Sequence, residues 1–151
     1  MKQLSIRKNK QAGFTLLEVV IAIAIVALLA AAILPGLLQN REDAKYSTAL
    51  TQLQKDFPSA ITRQVSRTNA CNATNITTAT LTSRGLPVTT AWNEAWTAAV
   101  AGNLVTITYP ITNAADPAKT GADMAAALTG SNNVASAAYA SSKMTVSYRC
   151  N

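Results

Sequence analysis

Between Val19 and Leu38 the chain runs for twenty residues without a charge, and no other feature restricts its fold as tightly. At about 1.5 Å per residue a helix of that length reaches about 30 Å, the thickness of a bilayer's hydrocarbon layer. The segment therefore reads as a membrane-spanning helix. Extending it back to Phe14 adds a single ionisable residue, Glu18. Lys2, Arg7, Lys8 and Lys10 precede it, a basic flank of the kind that stays cytoplasmic and leaves the rest of the chain outside.

That flank also changes what the overall charge means. A balance of +6 over 151 residues suggests a nucleic-acid or anionic-membrane partner. Setting the four leading cations aside leaves nine basic against seven acidic residues, a balance of +2, which gives such a partner little support. On the outer side of a bacterial membrane thiols are oxidised, so Cys71 and Cys150 read as one disulfide. There is no histidine to complete a metal site with them. Glu94, Asp116 and Asp123 lie too far apart to suggest an acid–base pair or a calcium cage. No enzyme activity and no cofactor are expected.

A basic start followed by an apolar run admits three readings. A secretory signal peptide has an apolar core of about 7–15 residues followed by small residues and a cleavage site. Here the core is longer and runs into Pro35-Gly36-Leu37-Leu38. An uncleaved anchor fits the length but gives no reason for Gly13 directly before Phe14-Thr15-Leu16-Leu17-Glu18. The third reading is a leader cut on the cytoplasmic side, where glycine permits an extended backbone in a protease cleft and the apolar helix is kept.

The stretch QAG-FTLLEVVIAIAIVALLAAAILP resembles the N-terminus of type IV pilins and of their type II secretion relatives, the pseudopilins. The likeness covers roughly Gly13 to Gln54; the remainder carries no comparable motif. It implies cleavage between Gly13 and Phe14 by a prepilin peptidase, N-methylation of Phe14, and polymerisation into a homo-oligomeric helical filament at an inner-membrane assembly platform. It also implies a location in the inner membrane before assembly and in an extracellular pilus afterwards. The implied fold is α+β, a long N-terminal helix packed on a small antiparallel sheet. The expected divisions are a leader over 1–13, an apolar assembly helix over 14–38, an amphipathic continuation over 39–66 and a globular head over 67–151.

Glu18 has a physical role in such a filament. Only about 6 Å of helix separates it from Phe14, so before assembly it sits near the headgroups and costs less than the roughly 3 kcal/mol of a charge at the bilayer centre. Among packed apolar helices the same carboxylate needs a partner. The first cation beyond the cut is Arg41, some 35 Å along the helix. Cleavage creates a nearer one, the α-amino group of Phe14. A helix cannot easily fold its terminus back onto its own fifth residue, so the donor is a neighbouring subunit's amine and the pair fixes axial register. The resemblance assigns Glu18 the same role.

Tyr46, Leu50, Leu53, Phe57, Ile61 and Val65 recur every three or four residues, so the helix continues to about Ser66 with one apolar stripe. Pro35 and Pro58 each remove a backbone donor and predict a kink or local melting. By resemblance Pro35 is also the helix-breaking proline that lets the helix stretch when subunits pack. Thr68 to Pro87 resembles the variable loop of pilins, and its Asn72 and Asn75 glycosylation patterns are what a Thr- and Asn-rich loop produces by chance.

Alternation of Trp96, Ala98 and Val100, then of Val105, Ile107 and Tyr109, predicts a hairpin turning at Ala101-Gly102-Asn103. Trp92 and Trp96 also permit a short helix before it. Gly121–Leu128 and Asn133–Ala140 are Ala-rich and fit helix or strand. In the last strand Met144, Val146, Tyr148 and Cys150 share the inward face. A Cys71–Cys150 bond closes nearly the whole head, whereas family members usually staple a shorter C-terminal region.

The reading is thus a type IV pilus subunit, with a minor pilin or type II secretion pseudopilin as nearest rival. The disulfide and the lack of an evident calcium cluster favour the pilus. A DNA-uptake pilin binding nucleic acid through Arg63, Arg67, Arg84, Lys119 and Arg149 is a rival of another class, and a monomeric signal-anchored protein is a third.

Overall fold

The computed structural model describes residues 14–150. The chain falls into two compact units, Met1–Gln39 and Asn40–Asn151. Its first helix, α1 (Leu16–Thr51), starts where Thr15 caps it: the Glu18 N–H donates to the Thr15 carbonyl at 3.1 Å and to its hydroxyl at 3.2 Å. The helix runs through Pro35 without a break. The local melting expected there is absent, because one missing donor removes a single hydrogen bond from 36 helical residues.

The helical run ends at Thr68, two residues past the expected limit, and it is not α-helical throughout. A π-turn, Gln52–Asp56, joins α1 to α2 (Phe57–Thr68). Pro58 lies in the first turn of α2, where a proline does least harm to the bonding that follows it. The expected kink is thus expressed as a wider turn immediately before the proline. Asn69, in the left-handed region at φ 49°, terminates α2 with its N–H on the Val65 carbonyl at 2.7 Å.

The segment read as a variable loop holds a short helix, α3 (Thr78–Thr82). Thr77 accepts from the Thr80 N–H while the Thr80 hydroxyl accepts from the Thr77 N–H, a reciprocal cap. Ile76, Leu81 and Leu86 of this segment enter the core. Thr89 and Ala95 then form an isolated bridge, with Trp92 in the turn between them and Trp96 just past it, and no helix.

The sheet is antiparallel with order β1-β2-β4-β3, built from β1 (Thr97–Ala101), β2 (Leu104–Pro110), β3 (Ser136–Ala140) and β4 (Lys143–Arg149). Ala101 pairs with Leu104, so the first hairpin turns on two residues, Gly102-Asn103, and not on three. Gly102 has φ 58° while Asn103 does not take positive φ, the pattern of a type II′ turn with glycine first. The Ala-rich pair resolves into a helix, α4 (Pro117–Thr129), capped by the Asp116 carboxylate on the Lys119 N–H at 3.0 Å, and the strand β3.

The inward faces of β2 and β4 bury Val105, Ile107 and Tyr109 beside Met144, Val146 and Tyr148. The helical seam of Ala49, Leu53, Phe57, Ala60 and Ile61 is buried in the same core. Trp96 meets Phe57 edge-on at 4.8 Å and donates from its indole to the Pro87 carbonyl at 2.7 Å. Cys71 and Cys150 are joined in a disulfide across 79 residues, tying the end of the helical run to the end of β4.

The π-turn leaves one backbone acceptor stranded. The Phe57 N–H, which would reach the Leu53 carbonyl in an α-helix, bonds to the Gln52 carbonyl. The next donor in π spacing is residue 58, a proline without an N–H. The sheet supplies the missing donor: the buried Tyr148 hydroxyl donates to the Leu53 carbonyl at 2.7 Å. Beside it the Tyr109 hydroxyl donates to Gln52 Oε1 at 2.6 Å and accepts from the Ala91 N–H at 2.8 Å. Burial raises both phenols, Tyr109 to about 12.

Candidate assembly helix

Every side chain described between Phe14 and Gln39 is exposed. Phe14 and Leu16 are each 83 % exposed, and Ile21, Ile25, Leu29, Ile33 and Leu37 are all more than half exposed. An apolar surface on all sides of a helix is the surface of a segment that meets lipid or other helices. Among the described residues this is the one helix long and apolar enough to cross a membrane.

Glu18 interrupts that surface one turn from Phe14. Its backbone N–H is held by Thr15, and its carboxylate is exposed with no described cation in pairing distance. Gly13, the other half of the expected cleavage site, lies outside the described residues with the rest of 1–13. Arg41, the first cation beyond the cut, forms no described ion pair.

Sequence reasoning passed over Glu42. Its carboxylate takes three donors: Lys45 Nζ at 2.7 Å, the Trp92 indole at 3.0 Å and the Ala115 N–H at 3.3 Å. Partial burial pushes its pKa up, but these donors outweigh burial and hold it below the usual carboxylate value. It thereby links the helix to the Trp92 turn and to the start of α4. The Glu42–Lys45 spacing of three residues signals a helical ion pair; nothing in the sequence signals Trp92 as the second partner.

The five cations considered for nucleic acid separate into two groups. Lys119 is paired with Asp123 at 2.7 Å. Arg63 donates to Ser59, one turn away from Arg67 on α2; Arg84 donates to Gln64 at 2.8 Å; and Arg149 lines a cavity with Thr62. Four arginines therefore gather about the last turns of α2. No group of three or more potential metal ligands occurs among the described residues.

Comparison with known proteins agrees with the N-terminal geometry. Residues 8–34 match the prokaryotic N-terminal methylation motif. Type II secretion system core protein G of Vibrio cholerae serotype O1 is 43 % identical over 47 residues, 31 % of this chain and 32 % of that protein. The protein of the same name from Aeromonas hydrophila is 40 % identical over 47 residues, 31 % of this chain and 33 % of its own length. The chain thus matches about a third of the length of these curated relatives. No solved structure matches it. The chain is thus similar to these type II secretion proteins over a stretch of 47 residues, and the methylation motif covers the start of its apolar helix.

Proposed function

We propose that the chain is the structural subunit of a type IV pilus. The leader 1–13 is removed between Gly13 and Phe14 and Phe14 is N-methylated. The helix over 14–38 holds the subunit in the inner membrane and then packs among copies of itself, with the amphipathic helix and the head carried on the outside of the fibre. Pro35 is the point at which that helix lengthens on packing. The partners are other copies, the prepilin peptidase and the assembly platform.

One observation carries this reading: a lone exposed carboxylate, Glu18, one turn from the new N-terminus on a helix that is otherwise apolar all round. In a packed bundle it requires a cation, and a neighbour's Phe14 amine is the one that processing generates. A pseudopilin of type II secretion is the second reading, favoured by the likeness to core protein G. That likeness extends over 47 residues, 31 % of this chain.

Mass spectrometry and electron microscopy of sheared surface material test the proposal. The wild type should yield abundant filaments of a subunit shortened by 13 residues and bearing one methyl group. Glu18→Ala should be processed and inserted in the membrane but absent from filaments. Normal filaments from that variant would remove the basis of the proposal, and surface filaments found only on overexpression would favour the pseudopilin.

A further inference from the structure

β3 begins only at Ser136, opposite Ser147, so the sheet leaves a gap beside the last residues of β4. The Ala135 N–H still reaches the Ser147 carbonyl at 2.7 Å, but Arg149 has no β3 partner. The turn that leads from α4 into β3 closes the gap. Bonds from the Ser131 N–H to Leu128 and from the Val134 N–H to Ser131 hold it, leaving Asn132 and Asn133 at its tip. With Pro58 and Thr62 of α2 opposite, these residues line an open cavity of about 190 Å³.

The chemistry of the lining is specific. Arg149, Asn132, Asn133 and Thr62 are exposed and make no side-chain hydrogen bond among the described residues, so a guanidinium, two carboxamides and a hydroxyl are open to a ligand in exchange for water. No carboxylate among the described residues lines the cavity to neutralise Arg149. Arg63, the residue after Thr62 on α2, is held over Ser59 and is not part of the lining. Pro58 and Val134 contribute the apolar part of the wall.

We propose that this cavity binds a carboxylated monosaccharide unit, a uronic or sialic acid. The guanidinium suits a carboxylate in bidentate geometry. Each carboxamide offers donor and acceptor together, which suits ring hydroxyls, and Pro58 with Val134 suits the C–H face of the ring. The volume is below the roughly 300 Å³ at which pockets for drug-sized ligands begin, so one ring is taken and not an oligomer. With no aromatic side chain in the lining, a nucleobase has nothing to stack on, which favours a sugar acid over a nucleotide. The site is independent of filament assembly and is tested separately from it.

The experiment is titration calorimetry on the full chain in detergent micelles with glucuronate, N-acetylneuraminate, glucose and acetate. One or both sugar acids should saturate with a Kd of about 1–10 mM, the scale of a single small ligand, and glucose and acetate should each bind at least about tenfold more weakly. Arg149→Gln, at an exposed position, should weaken the sugar acid by about tenfold or more with an unchanged melting temperature, and Asn133→Ala should weaken it while leaving acetate unaffected. Acetate binding as tightly as the sugar acids, Arg149→Gln binding them normally, or no saturable binding by either sugar acid would overturn the proposal.

Discussion

Replacing Tyr148 with Phe removes one oxygen atom and no packing volume, yet it should be among the costlier single changes in the head. The hydroxyl is the donor that the Leu53 carbonyl loses to the π-turn and to Pro58. Leu53 is fully buried and Tyr148 is 1 % exposed, so water cannot take the hydroxyl's place. A buried acceptor left without a donor costs about 1–3 kcal/mol. At about 2.1 cal/mol/K of unfolding entropy per residue, over the roughly 110 residues of Asn40–Asn151, that lowers Tm by about 4–13 °C. Near-ultraviolet circular dichroism of the full chain in micelles reads it, since Trp92 and Trp96 are both buried in this unit. Pro58→Ala restores an N–H within reach of the stranded carbonyl, so Tyr148→Phe should cost about 1 kcal/mol less in that background than alone. A Tyr148→Phe loss below about 0.5 kcal/mol, or one unchanged by Pro58→Ala, would refute the reasoning.

Three further outcomes follow from the head. Burial, partly opposed by the bond from Ala91, raises Tyr109 from 10.0 to about 12; the unfolded chain gives up that proton first, so stability is complete below pH 10 and falls between pH 10 and about 12. Tyr109→Phe should shrink that alkaline loss without abolishing it, because burial raises Tyr148 as well, and denaturant titrations across the range would measure both. Gly121→Ala places a methyl group inside the Tyr139 ring, which packs α4 on β3, and should cost about 1–3 kcal/mol, with Tyr139→Ala relieving most of it in a double-mutant cycle. Cys71→Ser together with Cys150→Ser opens a loop of 79 residues worth about 4.5 kcal/mol by chain entropy, so urea melts should show a head at or below the threshold of folding; a midpoint within experimental error of the parent would contradict the chain-entropy account.

What could be read in advance divides by the range of the interactions involved. The uncharged run, the lone Glu18 and the alternation of Met144, Val146 and Tyr148 are local patterns, and each element follows from its own residues. The Ala-rich segments were ambiguous because alanine fits either period. The choice between helix at Pro117–Thr129 and strand at Ser136–Ala140 rests on the Asp116 cap, on Gly121 lying against Tyr139, and on pairing with β4. The alternation of Trp96, Ala98 and Val100 implies a three-residue hairpin turn because it stops at Val100, while the ladder continues to Ala101. At the candidate site, Glu18 was legible as a charge out of place, whereas Glu42 was not, since its significance lies in an indole 50 residues away.

The π-turn was legible in a form that α-helical expectation conceals. Ala49, Leu53, Phe57 and Ile61 follow one another at intervals of four, and all four are buried. At 3.6 residues per turn each such interval advances about 40°, so four residues in an unbroken α-helix would fan across about 120°. A π-turn absorbs one residue, about 100° of rotation, between Leu53 and Phe57 and brings the set back within about 60°. The seam then enters one core with the inward face of the sheet, at the cost of the hydrogen bond that Tyr148 replaces. A run of strict four-residue spacing with a proline one position past its third member is therefore a sequence signature for a wide turn. Its confirmation lies in a distant side-chain donor, here on the last strand.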